Sequence, residues 1–177
     1  TARLKQATVL HFARDLGIRT VSFVRKTEQF EELKSLGADH FLLDDEDGFA
    51  AAKEILGGAH AAIAFNAVGG DSALRLMKLL RVGATHVTYG AMGRKPITLP
   101  NGLLLFQDIR IRGLWVTRWV ENATSEEVKS TYQDLAERVA AGKLLQPVDG
   151  TFSLENWRDA LARLDAPERN GKVLFEP

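Results

Sequence analysis

Short strand-like segments alternate with amphipathic helix-like segments in the first half of this chain, and this alternation restricts the fold more than any other feature. β-branched and aromatic residues predict strands at 18–24, 40–43, 61–65 and 85–89. Between them, apolar residues recur every three or four positions, as in helices that bury one face, and glycines follow several of these segments. The alternation predicts an α/β fold with a doubly wound parallel sheet covered by helices.

The pattern changes after Gly90. Residues 91–102 contain two glycines and two prolines, which predict a long loop. Thr124 and Glu127 have the spacing of a capping box, in which each side chain bonds a free backbone amide at a helix start. The other predicted elements are a short helix at 103–106, an edge strand at 109–117, a long helix ending at Gly142, a strand from Pro147, a helix around Trp157 and a strand at 172–175.

Composition excludes several classes of function. The 177 residues include 23 basic and 23 acidic side chains, so no basic excess is available for nucleic acid or an anionic membrane. The chain has no cysteine, and its 4 histidines lack paired ligand spacing, so neither a disulfide nor a metal site is predicted. No apolar run reaches the roughly 18–20 residues of a membrane span. Asp71, Ser72 and His86 could suggest a hydrolase triad, but no Gly-x-Ser-x-Gly elbow accompanies them.

Residues just after the strands are the candidates for chemistry, because ligands of doubly wound sheets bind at the carboxyl ends of strands. Arg25 and Lys26 follow the first predicted strand and suit a 2′-phosphate; a solvated strand end is the alternative interpretation. Residues 66–70 end in two glycines that allow close backbone approach, although a plain turn has the same composition. Small residues between Tyr89 and Met92 could leave room for a flat ring.

Taken in order, five segments of the chain resemble one family. The cofactor-binding half of zinc-independent medium-chain dehydrogenase/reductases has similar segments, and the mitochondrial-type trans-2-enoyl-CoA (2-enoyl thioester) reductases are the most similar members. The most specific matches are Tyr-Gly-Ala-Met at 89–92 and Arg-Gly-Leu-Trp at 112–115. The resemblance extends from about residue 4 to the end of the chain. Its segments are 18–25, 36–40, 65–70, 87–92 and 105–115.

The resemblance implies a Rossmann-like fold that binds NADPH. It also implies a set of cofactor-binding residues and no catalytic or metal-binding residue in this chain. Two positions depart from the family: Ala91 replaces a glycine, and Lys26 replaces an acidic residue and adds positive charge for a phosphate. The implied contacts are Arg25, Lys26 and Thr27 around the 2′-phosphate, Tyr89, Gly90, Ala91, Met92, Leu114, Trp115 and Val116 along the nicotinamide and pyrophosphate, and Lys172 near the chain end.

The implied activity is reduction of the C2–C3 double bond of a 2-enoyl thioester of coenzyme A or acyl carrier protein. An NADPH:quinone oxidoreductase of the same superfamily and a non-catalytic remnant or interaction module are the alternatives. The family pairs edge strands across a two-fold axis, so a homodimer through 109–117 is expected, with Trp115 or Trp119 near the interface. The expected compartment is the cytoplasm, with the mitochondrial matrix as the alternative.

Two parts of the family's fold have no counterpart in the sequence. The Gly-rich turn that follows the first sheet strand would fall at residues 1–6, which contain no glycine, and the predicted strands correspond to the second to sixth strands of the family's sheet. Without that central strand the sheet would have a gap of roughly two strand spacings of about 4.8 Å. We therefore expect a longer polypeptide, another chain or a rearranged segment to fill the gap. The family's N-terminal catalytic domain is also absent. Residues 1–143 are predicted to form an incomplete dinucleotide-binding domain, and 144–177 to complete the catalytic domain.

Overall fold

The computed structural model describes residues 2–144, 148–166, 169 and 171–176. They form two compact units, of which one is Arg19–Val128 and the other combines the segments before Arg19 and after Val128. The elements are α1 (Ala2–Asp15), β1 (Val21–Val24), α2 (Phe30–Ser35), β2 (His40–Leu43), α3 (Glu46–Leu56), β3 (Ala61–Asn66), α4 (Gly70–Lys78), β4 (Leu80–Thr88), α5 (Asn101–Gln107), β5 (Arg110–Gly113), α6 (Val116–Asn122), α7 (Ser125–Ala140), β6 (Val148–Ser153), α8 (Trp157–Asp165) and β7 (Lys172–Glu176), with short 3-10 helices at Thr27–Gln29 and Leu154–Asn156.

The unit Arg19–Val128 contains two separate parallel sheets. One pairs β1 with β2, and the other has the order β3-β4-β5. Among the described residues, neither β1 nor β3 has a strand partner on its other edge. The predicted α/β fold with parallel strands is confirmed, and so is the predicted interruption, because the break falls where the central strand of a doubly wound sheet belongs.

Side-chain packing holds the two sheets together in this unit. Leu79 lies between α4 and β4, and it is buried with Phe49 and Ala52 of α3. Val21, Phe23, Leu42 and Leu56 pack against this cluster. An ion pair adds a second connection, since Arg75 Nη2 of α4 lies 2.7 Å from Asp44 Oδ1 at the end of β2. Hydrophobic burial of a large side chain stabilises a fold by about 1.5–3 kcal/mol, so this cluster is a substantial bridge.

The edge strand is shorter than predicted. β5 ends at Gly113, Trp115 is the N-cap of α6, and α6 begins at Val116, so the prediction of a strand over 109–117 is wrong at its end. Trp115 and Trp119 have helical spacing, and the Trp119 amide donates to the Trp115 carbonyl at 3.1 Å. The apolar run at 114–120 therefore forms a helix rather than more strand.

The capping box that the sequence predicts is present. The Glu127 amide donates to Thr124 Oγ1 at 3.2 Å, and the Thr124 amide donates to Glu127 Oε2 at 2.7 Å. These reciprocal bonds satisfy free backbone donors at the start of α7 and fix where that helix begins.

The other unit contains the parallel pair β6-β7 and helices α1 and α8. The side chain of Asp149 in β6 is 5% exposed and pairs with Arg163 of α8, whose Nη2 donates to Asp149 Oδ1 at 2.9 Å. Arg138 of α7 donates to Asp15 Oδ2 at 2.6 Å and lies 4.6 Å from the Phe12 ring centroid. Across the described part of the chain, we find no helix with the length and apolar character to cross a bilayer.

His86 of β4 is a histidine without solvent exposure. Its Nδ1 lies 3.4 Å from Thr88 Oγ1, and its Nε2 has no hydrogen-bond partner within the described residues. Burial lowers the pKa of His86 below its usual 6.5, because the imidazolium would lose its hydration there. His11 is also buried, and its pKa is lowered by burial and by Arg14, against the opposing charge of Asp15.

We predict that His86 makes the protein less stable in mild acid. As the pH falls below 6.5, His86 becomes protonated in the unfolded chain but stays neutral in the folded protein. The free energy of unfolding therefore falls until the pH reaches the lowered pKa of the folded state, where His86 is protonated in both states. The loss amounts to about 1.4 kcal/mol for each unit by which the pKa is lowered. His86→Gln should flatten this part of the pH dependence in urea unfolding, and His60→Gln, at an exposed position, is the control. Equal slopes for wild type and His86→Gln would contradict the prediction.

Candidate binding site at the carboxyl ends of the strands

The carboxyl ends of β3, β4 and β5 lie side by side. The Tyr89 amide donates to the Asn66 carbonyl at 3.0 Å, which extends the pairing of β4 with β3 by one residue. The Leu114 amide donates to the Thr88 carbonyl at 2.8 Å on the other side of β4. The segments that begin at Tyr89 and Leu114 therefore leave neighbouring strands at the carboxyl end of the sheet. A site shared by both segments, as the sequence predicts, requires this arrangement.

The turn after β3 is organised by the side chain of Asn66. Its Oδ1 accepts from the amides of Val68 at 3.1 Å and Gly69 at 2.7 Å, and its Nδ2 donates to Ser72 Oγ at 3.3 Å. Asn66 is only 3% exposed and Ser72 is 8% exposed. A buried side chain thus satisfies two backbone donors and fixes the path of the chain into α4.

The turn after β4 lies directly on the turn after β3. The Met92 amide donates to the Ala67 carbonyl and the Gly93 amide to the Val68 carbonyl, each at 2.8 Å. A Cβ added to Gly90 would lie 3.1 Å from the Ala67 carbonyl oxygen, so a glycine suits this close approach. The two turns form one hydrogen-bonded platform.

Gly69 occupies a backbone conformation that other residues avoid. It has φ 84° and ψ −168°, a combination found almost only in glycine. A Cβ at this position would lie 2.6 Å from the Lys95 carbonyl oxygen, in the segment that pairs with Gly69. Backbone strain and a steric clash therefore both require glycine here.

We predict that Gly69→Ala destabilises the protein by about 2–4 kcal/mol, because it combines backbone strain of about 1–3 kcal/mol with displacement of Lys95. Thermal unfolding of the full-length protein measures the effect. Gly102→Ala is the matched control, since an added Cβ would meet only Phe106 at 3.9 Å inside α5, where alanine is favoured by about 0.5–1 kcal/mol. A Gly69→Ala variant as stable as wild type would show that the turn tolerates a different conformation.

The platform presents a partly apolar surface. Ala91 is exposed and Met92 is 54% exposed, whereas Tyr89 and Gly90 are half-buried. Burial raises the pKa of the Tyr89 phenol above its usual value, so its hydroxyl stays protonated at neutral pH. Beyond β5, the chain exposes three further apolar side chains that the sequence predicted to be cofactor contacts. These are Leu114, Trp115 and Val116.

The predicted phosphate-binding residues follow β1. Arg25 and Lys26 are both exposed, and Thr27 begins the 3-10 helix Thr27–Gln29. Neither Arg25 nor Lys26 forms an ion pair with a carboxylate within the described residues, so both cations are available to an anion. Lys172, the remaining predicted contact, is the exposed first residue of β7 in the other unit.

Sequence reasoning missed Asn66 as a site residue. The two glycines of the segment 66–70 were the basis of its selection as a candidate site. The side chain that organises the turn is that of Asn66, which precedes them. The signal was available, because an asparagine at a strand end commonly bonds backbone amides two or three residues ahead. In the described part of the chain, no group of three or more His, Asp or Glu side chains could hold a metal ion.

Parallel strands, helical crossovers and a platform at the carboxyl ends define a Rossmann-like α/β nucleotide-binding class of protein. Within that class, the chain belongs to the zinc-binding dehydrogenase family, whose model matches residues 7–138. Resemblance to the medium-chain dehydrogenase/reductases is thereby confirmed.

Individual relatives sharpen the assignment. The chain is 32% identical over 175 residues to the mitochondrial enoyl-[acyl-carrier-protein] reductase of Xenopus tropicalis, an alignment that covers 94% of this chain and 50% of the relative. An Etr1p complex with NADP and crotonyl-CoA matches with a TM-score of 0.79 and 25% identity, over 97% of this chain and 50% of that one. A mycobacterial quinone oxidoreductase shares the fold, with a TM-score of 0.87 and 22% identity over 97% of this chain and 53% of that one. The chain spans about half the length of the curated relatives it matches.

Proposed function

We propose that this chain supplies the NADPH-binding part of an enzyme that reduces the C2–C3 double bond of 2-enoyl thioesters. The observation that carries the proposal is the alignment with the Xenopus enoyl-[acyl-carrier-protein] reductase, which extends over 94% of this chain. It includes the platform formed by the turns after β3 and β4. When bound, the cofactor supplies the hydride for this reduction.

The charge at the end of β1 supports NADPH over NADH. NADPH carries a 2′-phosphate on its adenosine ribose, and NADH has a hydroxyl group there. Exposed Arg25 offers a planar fork for a phosphate, and Lys26 adds a mobile positive charge beside it. A site selecting NADH usually has a carboxylate at this strand end, whereas this chain has two cations.

The platform supports a role in holding the rest of the cofactor. Tyr89, Gly90, Ala91 and Met92 form a turn whose backbone is fixed on the preceding turn, and this leaves Ala91 and Met92 exposed. We infer that this turn and the segment Leu114, Trp115 and Val116 border the nicotinamide and pyrophosphate. We also infer that Lys172, near the end of the chain, contacts the cofactor.

The acceptor is proposed to be an enoyl thioester of coenzyme A or acyl carrier protein. The test is NADPH oxidation by the full-length protein with a crotonyl thioester and, in parallel, with a quinone. We expect turnover with the thioester and little with the quinone. Preferential turnover with the quinone would assign the chain to the quinone oxidoreductase alternative, and no saturable NADPH binding would support the non-catalytic alternative.

We further propose that the full-length protein is a homodimer. β5 lacks a strand partner on its outer edge within the described residues, and exposed apolar side chains flank it in sequence on α5 and α6. Phe106 of α5 is 83% exposed and Val120 of α6 is 39% exposed. A second copy that pairs along β5 would satisfy the free backbone groups and cover these side chains.

The compartment and the domain boundary are also proposals. The Xenopus relative is mitochondrial, which favours the mitochondrial matrix, and the cytoplasm that the sequence first suggested gains no support from it. We retain the proposed boundary, with 1–143 in the dinucleotide-binding domain and 144–177 completing the catalytic domain.

A further inference from the structure

Three successive carbonyls, beginning with the last residue of β3, accept hydrogen bonds from the turn after β4. The Asn66 carbonyl accepts from the Tyr89 amide at 3.0 Å, the Ala67 carbonyl from the Met92 amide at 2.8 Å, and the Val68 carbonyl from the Gly93 amide at 2.8 Å. The position of the second turn therefore depends on the backbone path of residues 66–68.

That backbone path depends in turn on one buried side chain. Asn66 Oδ1 accepts from both Val68 and Gly69, and Nδ2 donates to Ser72 Oγ. With Oδ1 directed at two amides, Nδ2 is left for the hydroxyl of Ser72 in the first turn of α4. The bonds to Gly69 and Ser72 are buried and the bond to Val68 is partly buried, and Asn66 and Ser72 are 3% and 8% exposed. Loss of Oδ1 would leave two backbone donors without this partner.

We propose that Asn66 is a positioning residue for the turn Tyr89–Met92, acting through the carbonyls of residues 66–68. As a positioning role for a cofactor surface, it rests on the proposed function. The side chain is buried while Ala91 and Met92 are exposed, so Asn66 governs the turn without forming part of its ligand-facing surface.

The Asn66→Ala variant removes the acceptor and the donor together. In the full-length protein we expect the KM for NADPH to rise about tenfold, the factor equivalent to about one net hydrogen bond, while kcat changes less than about twofold. Asn66→Asp keeps an oxygen for the Val68 and Gly69 amides, and the Ser72 hydroxyl can donate to its second oxygen. Three donors stabilise such a buried carboxylate, so this variant should restore the KM to within about threefold of wild type.

Amide hydrogen exchange tests positioning directly and needs no cofactor. The amides of Met92 and Gly93 should exchange at least about tenfold faster in Asn66→Ala than in wild type, because their acceptors are no longer fixed. Ser72→Ala keeps both bonds from Asn66 Oδ1 to the backbone, so a smaller increase is expected; it also serves if Asn66→Ala does not fold.

Thr20→Val is the matched control. It removes Thr20 Oγ1, which donates to Asp39 Oδ2 at 2.9 Å near the amino ends of β1 and β2. This variant should lower the melting temperature without changing exchange at Met92 and Gly93. It separates local repositioning of the turn from a general loss of stability.

Faster exchange at both amides, a raised KM and recovery in Asn66→Asp would support the inference. Unchanged amide exchange in Asn66→Ala would overturn the inference. An equal fall in kcat in the alanine and aspartate variants would also overturn it. If wild-type protein does not bind NADPH, the proposed function fails, and the exchange measurement still decides whether Asn66 fixes the turn.

Discussion

Replacing Arg25 with alanine in the full-length protein should raise the dissociation constant for NADPH by about 10- to 100-fold and leave that for NADH nearly unchanged. The guanidinium is exposed just after β1, where it can form charge-assisted bonds with a 2′-phosphate. Each such bond contributes about 1.5–3 kcal/mol, which corresponds to this change in affinity. Only NADPH carries the phosphate, so the effect must be specific to that cofactor.

Equilibrium titration of both cofactors measures the Arg25→Ala effect. Arg19→Ala is the matched control, because Arg19 is exposed just before the amino end of β1, where no phosphate contact is proposed. Lys26→Ala should cause a smaller loss, since an ammonium lacks the bidentate geometry of arginine. Equal affinities of the wild-type protein for NADPH and NADH would rule out the proposed phosphate site.

Replacing Phe106 with glutamate should dissociate the proposed homodimer. Phe106 is 83% exposed near the end of α5, and burial of an unpaired carboxylate at its position in an interface would cost several kcal/mol. The dimer dissociation constant should therefore rise by more than about 100-fold. Phe106 is not among the proposed cofactor contacts, so cofactor affinity measured on the same variant provides an independent check of folding.

Light scattering of the full-length protein over a range of concentrations measures the assembly. Leu16→Glu is the matched control, because Leu16 is 70% exposed but follows α1 in the other unit. It should leave the dimer intact. A monomeric wild-type protein, or a Phe106→Glu dimer as tight as wild type, would refute the proposed interface.

The alternation of strands and helices was sufficient to locate the sheet elements, although β4 begins at Leu80, before the predicted start of that strand at residue 85. The capping box at Thr124 and Glu127 was also predictable from the sequence, since it depends on two side chains within one helical turn. The end of β5 was not. Trp115 and Val116 have high strand propensity, but the helical spacing of Trp115 and Trp119 prevails in the fold.

The candidate site was predictable in position but not in construction. A strand-end rule located the turn at 89–92, because ligands of doubly wound sheets bind at carboxyl ends. What holds that turn could not be foreseen, since three carbonyls of residues 66–68 support it and no local pattern in 89–92 specifies them. Contacts between turns that are distant in sequence depend on the assembled sheet.

Because the sheet is broken between β1 and β3, side-chain packing and not backbone hydrogen bonding connects the two sheets of this unit in the described part of the chain. In a continuous sheet, a ladder of backbone hydrogen bonds would set the distance from the cations after β1 to the turn after β4. Here, within the described residues, that distance depends on Leu79 against α3 and on the Arg75–Asp44 ion pair. Substitutions at Leu79 or Arg75 should therefore change the spacing between Arg25 and the turn after β4, although neither residue is among the proposed cofactor contacts.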